Sequence, residues 1–117
     1  MSELSEVEVV ARDGIPIVRV RGEIDLSNAD AVLSSIERAV DPEAPGLVVD
    51  VRELEYLDSA GIRLFFRAAR SVSDAGGRFV AIASRDSPAR RVLELADAAT
   101  VFPLEEDEET ALRLVSG

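Results

Sequence analysis

The sequence predicts an α/β fold, a mixed and largely parallel β-sheet covered by about four helices in the order β-β-α-β-α-β-α-β-α. Three observations carry this. Two β-branched runs, Val7 to Arg12 and Ile15 to Arg21, flank Asp13-Gly14, a tight-turn pair that joins adjacent strands into a hairpin. Two short, nearly continuous apolar runs, Gly46 to Val51 and Arg78 to Ala83, read as strands buried on both faces, the condition of strands inside a parallel sheet. Around them the apolar residues recur at helical spacing, so helices cover the sheet.

The elements follow in order. Pro16, near the start of the second strand, suits a position where no ladder donor is needed. After Gly22 the period changes: Leu26, Ala29, Leu33, Ile36 and Val40 form the inward stripe expected of a first helix, with Ser27 as its N-cap and Asp41-Pro42 as its stop. The strand Gly46 to Val51 then leads through a loop into a second helix, from about Ser59 to Ala75. Its expected buried stripe is Ile62, Phe65, Phe66, Ala69 and Val72, and Gly76-Gly77 ends it. Ser87-Pro88 places an N-cap before a first-turn proline and opens a short helix whose Val92, Leu93 and Ala96 face inward. Val101 to Leu104 reads as a last edge strand. Asp107 to Val115 closes the chain as a helix whose acidic start, part of the run Glu105 to Glu109, suits the positive end of its dipole.

Composition removes most chemistries. The chain has 117 residues, with 23 acidic and 13 basic side chains, a net charge of −10, so a nucleic-acid backbone is a poor partner and no direct nucleic-acid binding is expected. Every basic residue is arginine, which excludes a lysine Schiff base and a P-loop lysine. Without Cys or His there is no thiol chemistry, no Ser-His triad, no Cys/His zinc site and no His or Cys ligand for haem. No catalytic residue, metal or cofactor is expected, and the chain reads as a non-enzyme. The start, MSELSEVEVV, lacks the basic and apolar segments of a secretory signal, and no apolar run approaches a membrane span. No membrane association and a cytoplasmic location are the expectations.

Two segments hold candidate functional residues. In Leu54 to Leu64, LEYLDSAGIRL, the chain crosses from a buried strand to a helix at Asp58-Ser59-Ala60-Gly61. This junction falls at the carboxyl end of the strands, where open α/β sheets bind their ligands. Periodicity leaves open whether Ser59 caps the helix or Asp58 does, with Ser59 in the first turn. Either way, outward-pointing amides would tolerate a phosphate there, which would add about −1.5 to −2 charges. Gly61 in the first turn costs about 1 kcal/mol relative to alanine, which points to a close approach or a tight junction. The second segment is Gly22-Glu23-Ile24-Asp25-Leu26-Ser27-Asn28. The proposed sheet puts its loop at the same end as Ser59, so that two acids and a hydroxyl form one rim. Arg63, Arg67 and Arg70, at i, i+4 and i+7, line one helix face, either as a solvated row or opposite an acidic partner.

With these residues in view, the chain resembles the STAS domain family (sulphate transporter and anti-sigma factor antagonist), and most of all its bacterial anti-anti-sigma factors of the sporulation and stress-response type. The resemblance runs from about Val7 to Val115 within a single domain, residues 1–117. It is carried by Gly22-Glu23-Ile24-Asp25, Leu47-Val48-Val49-Asp50, Leu57-Asp58-Ser59-Ala60-Gly61-Ile62, Ala75-Gly76-Gly77, Ser87-Pro88 through Val92-Leu93-Glu94-Leu95, and Val101-Phe102-Pro103. It implies an anti-sigma factor antagonist that, unphosphorylated, binds an anti-sigma factor serine kinase and so releases a sigma factor. It further implies that phosphorylation at Ser59 ends the association and that a serine phosphatase acting on phospho-Ser59 restores it. The partner surface implied comprises Glu23, Asp25, Ser27, Asn28, Asp58, Ser59, Gly61, Ile62 and Arg63. Two departures stand out: Ala60 replaces a frequent Ser or Thr, leaving Ser59 as the acceptor in the motif, and Arg63 replaces a frequent glycine. The alternative within the family is a scaffold or sensor STAS domain in a larger assembly, with little phosphorylation. A phosphoaspartate receiver centred on Asp50 fits poorly, because receivers need a lysine and open with a β-α unit rather than a hairpin.

Overall fold

The computed structural model describes residues 5–117; residues 1–4, the first part of the acidic start read above, lie outside the described residues. The opening hairpin is formed by β1 (Ser5–Arg12) and β2 (Ile15–Ile24), antiparallel and in register from Ser5 opposite Gly22 to Arg12 opposite Ile15. Asp13 and Gly14 both adopt positive φ, at 54° and 78°, the backbone that matches a two-residue turn to the twist of its strands. Pro16 lies one residue before β2 begins to pair with the next strand, at Ile17.

That strand, β3 (Gly46–Asp50), is buried along its whole length, as a central parallel strand must be. It pairs with β2 on one side and with β5 (Arg78–Ile82) on the other, parallel to both. Between them in sequence lie β4 (Leu54–Leu57) and the helix α2 (Ser59–Asp74). The sheet runs β1-β2-β3-β5-β6, with β6 (Leu104–Glu105) at the far edge and β4 pairing to β2 beyond the end of β3. Only the hairpin is antiparallel. The helices α1 (Ala29–Ala39), α2 and α3 (Pro88–Leu95) enclose the larger core on one face, and α4 (Glu108–Ser116) covers the other through Ala111, Leu112 and Val115. Phe65 of α2, Phe79 of β5 and Phe102 meet in the larger core, the last two edge-on with centroids 4.9 Å apart.

Several local expectations are corrected. The stretch read as a loop before Asp58 contains β4, and β2 runs on through Ile24 rather than stopping at Arg21, with a register irregularity between Gly22 and Glu23. The two corrections share a cause: the extension of β2 past β3 exposes backbone groups that need partners, and β4 supplies them. The edge strand is Leu104–Glu105, not Val101 to Leu104; a 3₁₀ turn, Ala98–Thr100, precedes it.

Ser27 is not the cap of α1. That position belongs to Asn28, whose side chain makes no capping bond, and Leu26, placed in the inward stripe, is 77% exposed, while Val32 fills the core beside Ala29 and Ile36. Leu33 and Val40 are half-buried. In α2 the core residues include Leu64 and Ala68 with Phe65, Ala69 and Val72, whereas Ile62 and Phe66 are only half-buried. In α3, Ala89 and Leu93 are buried; Val92 and Ala96 sit at the margin. Ser87 caps α3 as expected, accepting from the Arg90 N–H at 3.1 Å with Pro88 in the first turn.

Candidate functional site

Asp58 is the N-cap of α2. Its Oδ1 accepts from the N–H of Ala60 at 2.9 Å and of Gly61 at 3.2 Å, which settles the alternative the sequence left open. Ser59 is therefore the first helical residue. It is exposed, and among the described residues its hydroxyl has no hydrogen-bond partner. The helix start needs no help from the Ser59 oxygen, so that oxygen is left for other chemistry.

Gly61 sits where α2 passes over β2 and β4. A Cβ added there would run into the buried Leu57 side chain and stand 3.2 Å from Ile24 Cγ2. The glycine's helix-propensity cost is thus the condition for seating this turn directly on the strand ends. The seat is tied further by the backbone: Ile24 lies opposite Leu57 in parallel register, and the Asp58 N–H donates to the Ile24 carbonyl at 3.3 Å. The two segments singled out in the sequence are consequently neighbours, as the proposed shared rim requires.

The loop from Asp25 to Asn28 is built from within. Asn28, 1% exposed, accepts from the Asp25 N–H at 2.9 Å and donates through Nδ2 to the Glu23 carbonyl at 2.8 Å and to Ser5 Oγ at 3.2 Å. Asp25 Oδ1 accepts from the Ser27 hydroxyl at 2.5 Å and from the Ser27 N–H at 2.8 Å. These two bonds, the hydroxyl first, hold the Asp25 carboxyl below the usual carboxylate range. Asn28 is therefore a framework residue of the loop, while Ser27 and Leu26 form its exposed tip. Glu23, half-buried, is paired with Tyr56 of β4. On α2, Arg63 is exposed and Ile62 half-buried.

Periodicity places Leu26 in the inward stripe of α1, whereas the structure exposes it beside the rim. The available signal was an Asn two residues later: if Asn28 starts the helix, Leu26 lies outside it. Asp50, the acid that a receiver would phosphorylate, is 6% exposed and occupied by Arg52, whose Nε and terminal nitrogen donate to its two oxygens at 3.0 and 2.7 Å. Among the described residues no group of three or more acidic side chains is arranged to hold a metal ion, and no helix is long and apolar enough to cross a membrane.

A family model for the STAS domain matches residues 6–111. The chain belongs to the STAS domain family. This STAS domain is similar to the anti-sigma-F factor antagonist RsfB of Mycobacterium tuberculosis, 30% identical over 111 residues that cover 95% of this chain and 89% of the relative. It is also similar to the anti-sigma F factor antagonist of Paenibacillus polymyxa, 24% identical over 108 residues and 92% of each chain. Among solved structures, an anti-sigma factor antagonist from Mycobacterium paratuberculosis superposes with a TM-score of 0.86 at 29% identity, covering 97% of this chain and 95% of the other. The unphosphorylated form of the anti-sigma factor antagonist SpoIIAA shares the fold, with a TM-score of 0.70 at 20% identity over 94% and 95% of the two chains.

Proposed function

We propose that this STAS domain is an anti-sigma factor antagonist, a binding protein rather than an enzyme, working in the cytoplasm. Its unphosphorylated form binds an anti-sigma factor that is also a serine kinase, which releases a sigma factor for transcription. Transfer of a phosphate to Ser59 ends the association, and a serine phosphatase acting on phospho-Ser59 restores it. The partner surface is the rim of Glu23, Asp25, Ser27, Asn28, Asp58, Ser59, Gly61, Ile62 and Arg63, with Asn28 and Gly61 shaping it from beneath.

The observation that carries this reading is the exposed hydroxyl of Ser59, without a hydrogen-bond partner among the described residues, on the first turn of a helix that Asp58 already caps. A kinase can reach such an oxygen without unfolding anything. A phosphate there is compatible with the helix start, yet it adds about −1.5 to −2 charges to a rim that already holds Asp25 and Asp58. Burying that charge against a partner without matching donors costs several kcal/mol, on the order of a hundredfold or more in affinity. No refolding of α2 is needed for the switch. The kinship with named anti-sigma factor antagonists supports the same reading.

The test is a binding assay against the anti-sigma factors of the same genome with wild type, Ser59→Ala and Ser59→Asp. Alanine should bind like wild type and resist switching by kinase and ATP, while aspartate should bind poorly. Equal binding by all three would remove Ser59 from the mechanism and leave a scaffold role.

A further inference from the structure

Ser59 and Arg63 lie four residues apart on α2, and both are exposed. Residues at this spacing are neighbours one turn apart, with Cβ atoms about 5–6 Å from each other. A long helical side chain leans back over the turn that precedes it, so Arg63 covers the turn that holds Ser59. Nothing in the helix competes for it. The neighbours of Arg63 at the three- and four-residue spacings are Ser59, Ala60, Phe66 and Arg67, and none of them is acidic. Arg67 repels it from the other end. Asp30 of α1 lines the same small hollow, yet no ion pair among the described residues involves Arg63. The backbone at the helix start is already engaged, because the Asp58 carboxylate accepts from the Ala60 and Gly61 N–H groups. An anion on Ser59 therefore turns to a side chain for its counter-charge.

We propose that Arg63 is the intramolecular counter-ion of phospho-Ser59: its guanidinium folds back one turn and donates to the phosphate oxygens. The proposal rests on the reading of Ser59 as a phosphorylation site and gives its neighbour a role in the phosphorylated state. Spacing selects Arg63 among the cations of α2, since Arg67 and Arg70 stand about two and three turns from Ser59. The order is the favourable one, with the acid N-terminal to the base. A guanidinium fork also matches phosphate oxygens two at a time. The pair acts on the charge state of the switch. Asp25 and Asp58 at the rim and Asp30 on α1 disfavour the second negative charge of the phosphate, whereas Arg63 and, more remotely, Arg67 favour it. With a guanidinium one turn along, the phosphate keeps that charge to lower pH and is held against α2.

The test is a phosphorus NMR titration of the protein carrying phosphoserine at position 59, introduced during translation so that no kinase is needed. Wild type is compared with Arg63→Gln, with Arg63→Lys, which keeps a cation without the planar fork, and with Arg91→Gln on α3 as an exposed control. The phosphate midpoint should rise by about 0.3 of a pH unit in Arg63→Gln, the scale of an i,i+4 ion pair. It should recover partly in Arg63→Lys and stay at the wild-type value in the control. Salt at about 0.5 M should shrink the difference, as for any exposed pair. Midpoints that coincide in wild type and Arg63→Gln would overturn the pair and leave the Ser59 switch intact. Equal binding of an anti-sigma factor by wild type with and without the phosphate would overturn the switch reading, and the pair's role in it, whichever way the midpoints fall.

Discussion

The backbone N–H of Asp58 donates to the carbonyl of Ile24, two residues separated in the chain by the whole of α1, β3 and β4, and this bond places the cap of α2 directly beside the Asp25 loop. Ile24 and Leu57, paired across the same junction, form the floor on which Gly61 rests. The geometry of the Ser59 hydroxyl therefore depends on residues buried beneath it.

Gly61→Ala tests that floor. The added methyl must displace Leu57 and press on Ile24, an overpacking cost of about 1–3 kcal/mol, offset by about 1 kcal/mol of improved helix propensity. A net loss of about 1 kcal/mol is expected in denaturant unfolding, with weaker partner binding because the first turn of α2 is lifted. Stabilisation by this variant would show that the floor yields freely.

Asn28→Ala removes both the acceptor for the Asp25 N–H and the donor to the Glu23 carbonyl. Leaving these buried groups unmatched costs about 1–3 kcal/mol. Amide hydrogen exchange should rise at Asp25, whereas protection in β3 and β5 should hold. Unchanged exchange at Asp25 would show that the loop is ordered by other means.

Acid should release the same loop. The Asp25 carboxyl titrates below its ordinary value because the Ser27 hydroxyl and N–H donate to its charged form. A lowered folded-state value means that its contribution is fully present above the unfolded-state pKa and is lost as pH falls through the folded value. A carboxyl-detected NMR titration should place the Asp25 midpoint below that of an unperturbed aspartate, and Ser27→Ala should move it upward. Coincident midpoints in the two proteins would remove Ser27 as the cause.

Asp50 is expected to matter for stability alone. Asp50→Ala strips Arg52 of a two-pronged partner and removes the acceptor for the Arg52 N–H at 3.0 Å. Arg52 retains access to water, so the loss should be about 2 kcal/mol rather than the larger figure for a fully buried pair. Asp50→Asn, which keeps an acceptor for that N–H, should lose less. Partner binding by the folded Asp50→Ala protein should match wild type; a binding defect without a stability defect would place Asp50 in the interface.

Much of this was legible in local chemistry. Asp13-Gly14 announced the hairpin, Ser87-Pro88 the start of α3, and Gly76-Gly77 the end of α2, because each acts through its own backbone torsions or hydrogen bonds within a few residues. The junction at Asp58-Ser59 was visible for the same reason, although the choice of cap was not: both side chains offer an oxygen, and only the backbone at Asp58, with φ near −108° and ψ near −168°, decides which is in place. β4 has no local mark, because four residues with apolar ends carry neither a helical nor an alternating signature.

The sequence by itself determined the kinds of element, their order apart from β4, the chemistries excluded by the absence of Cys, His and Lys, and the presence of a hydroxyl at a helix start. Such properties reside in single residues and short windows. Only the tertiary structure decided that β2 outruns β3 and recruits β4, that Leu26 faces outward, that the Asp25 and Asp58 loops touch, and that three arginines of α2 find no carboxylate among the described residues. Those outcomes turn on which distant segments compete for the same backbone groups and the same counter-charges, a balance that no local window contains.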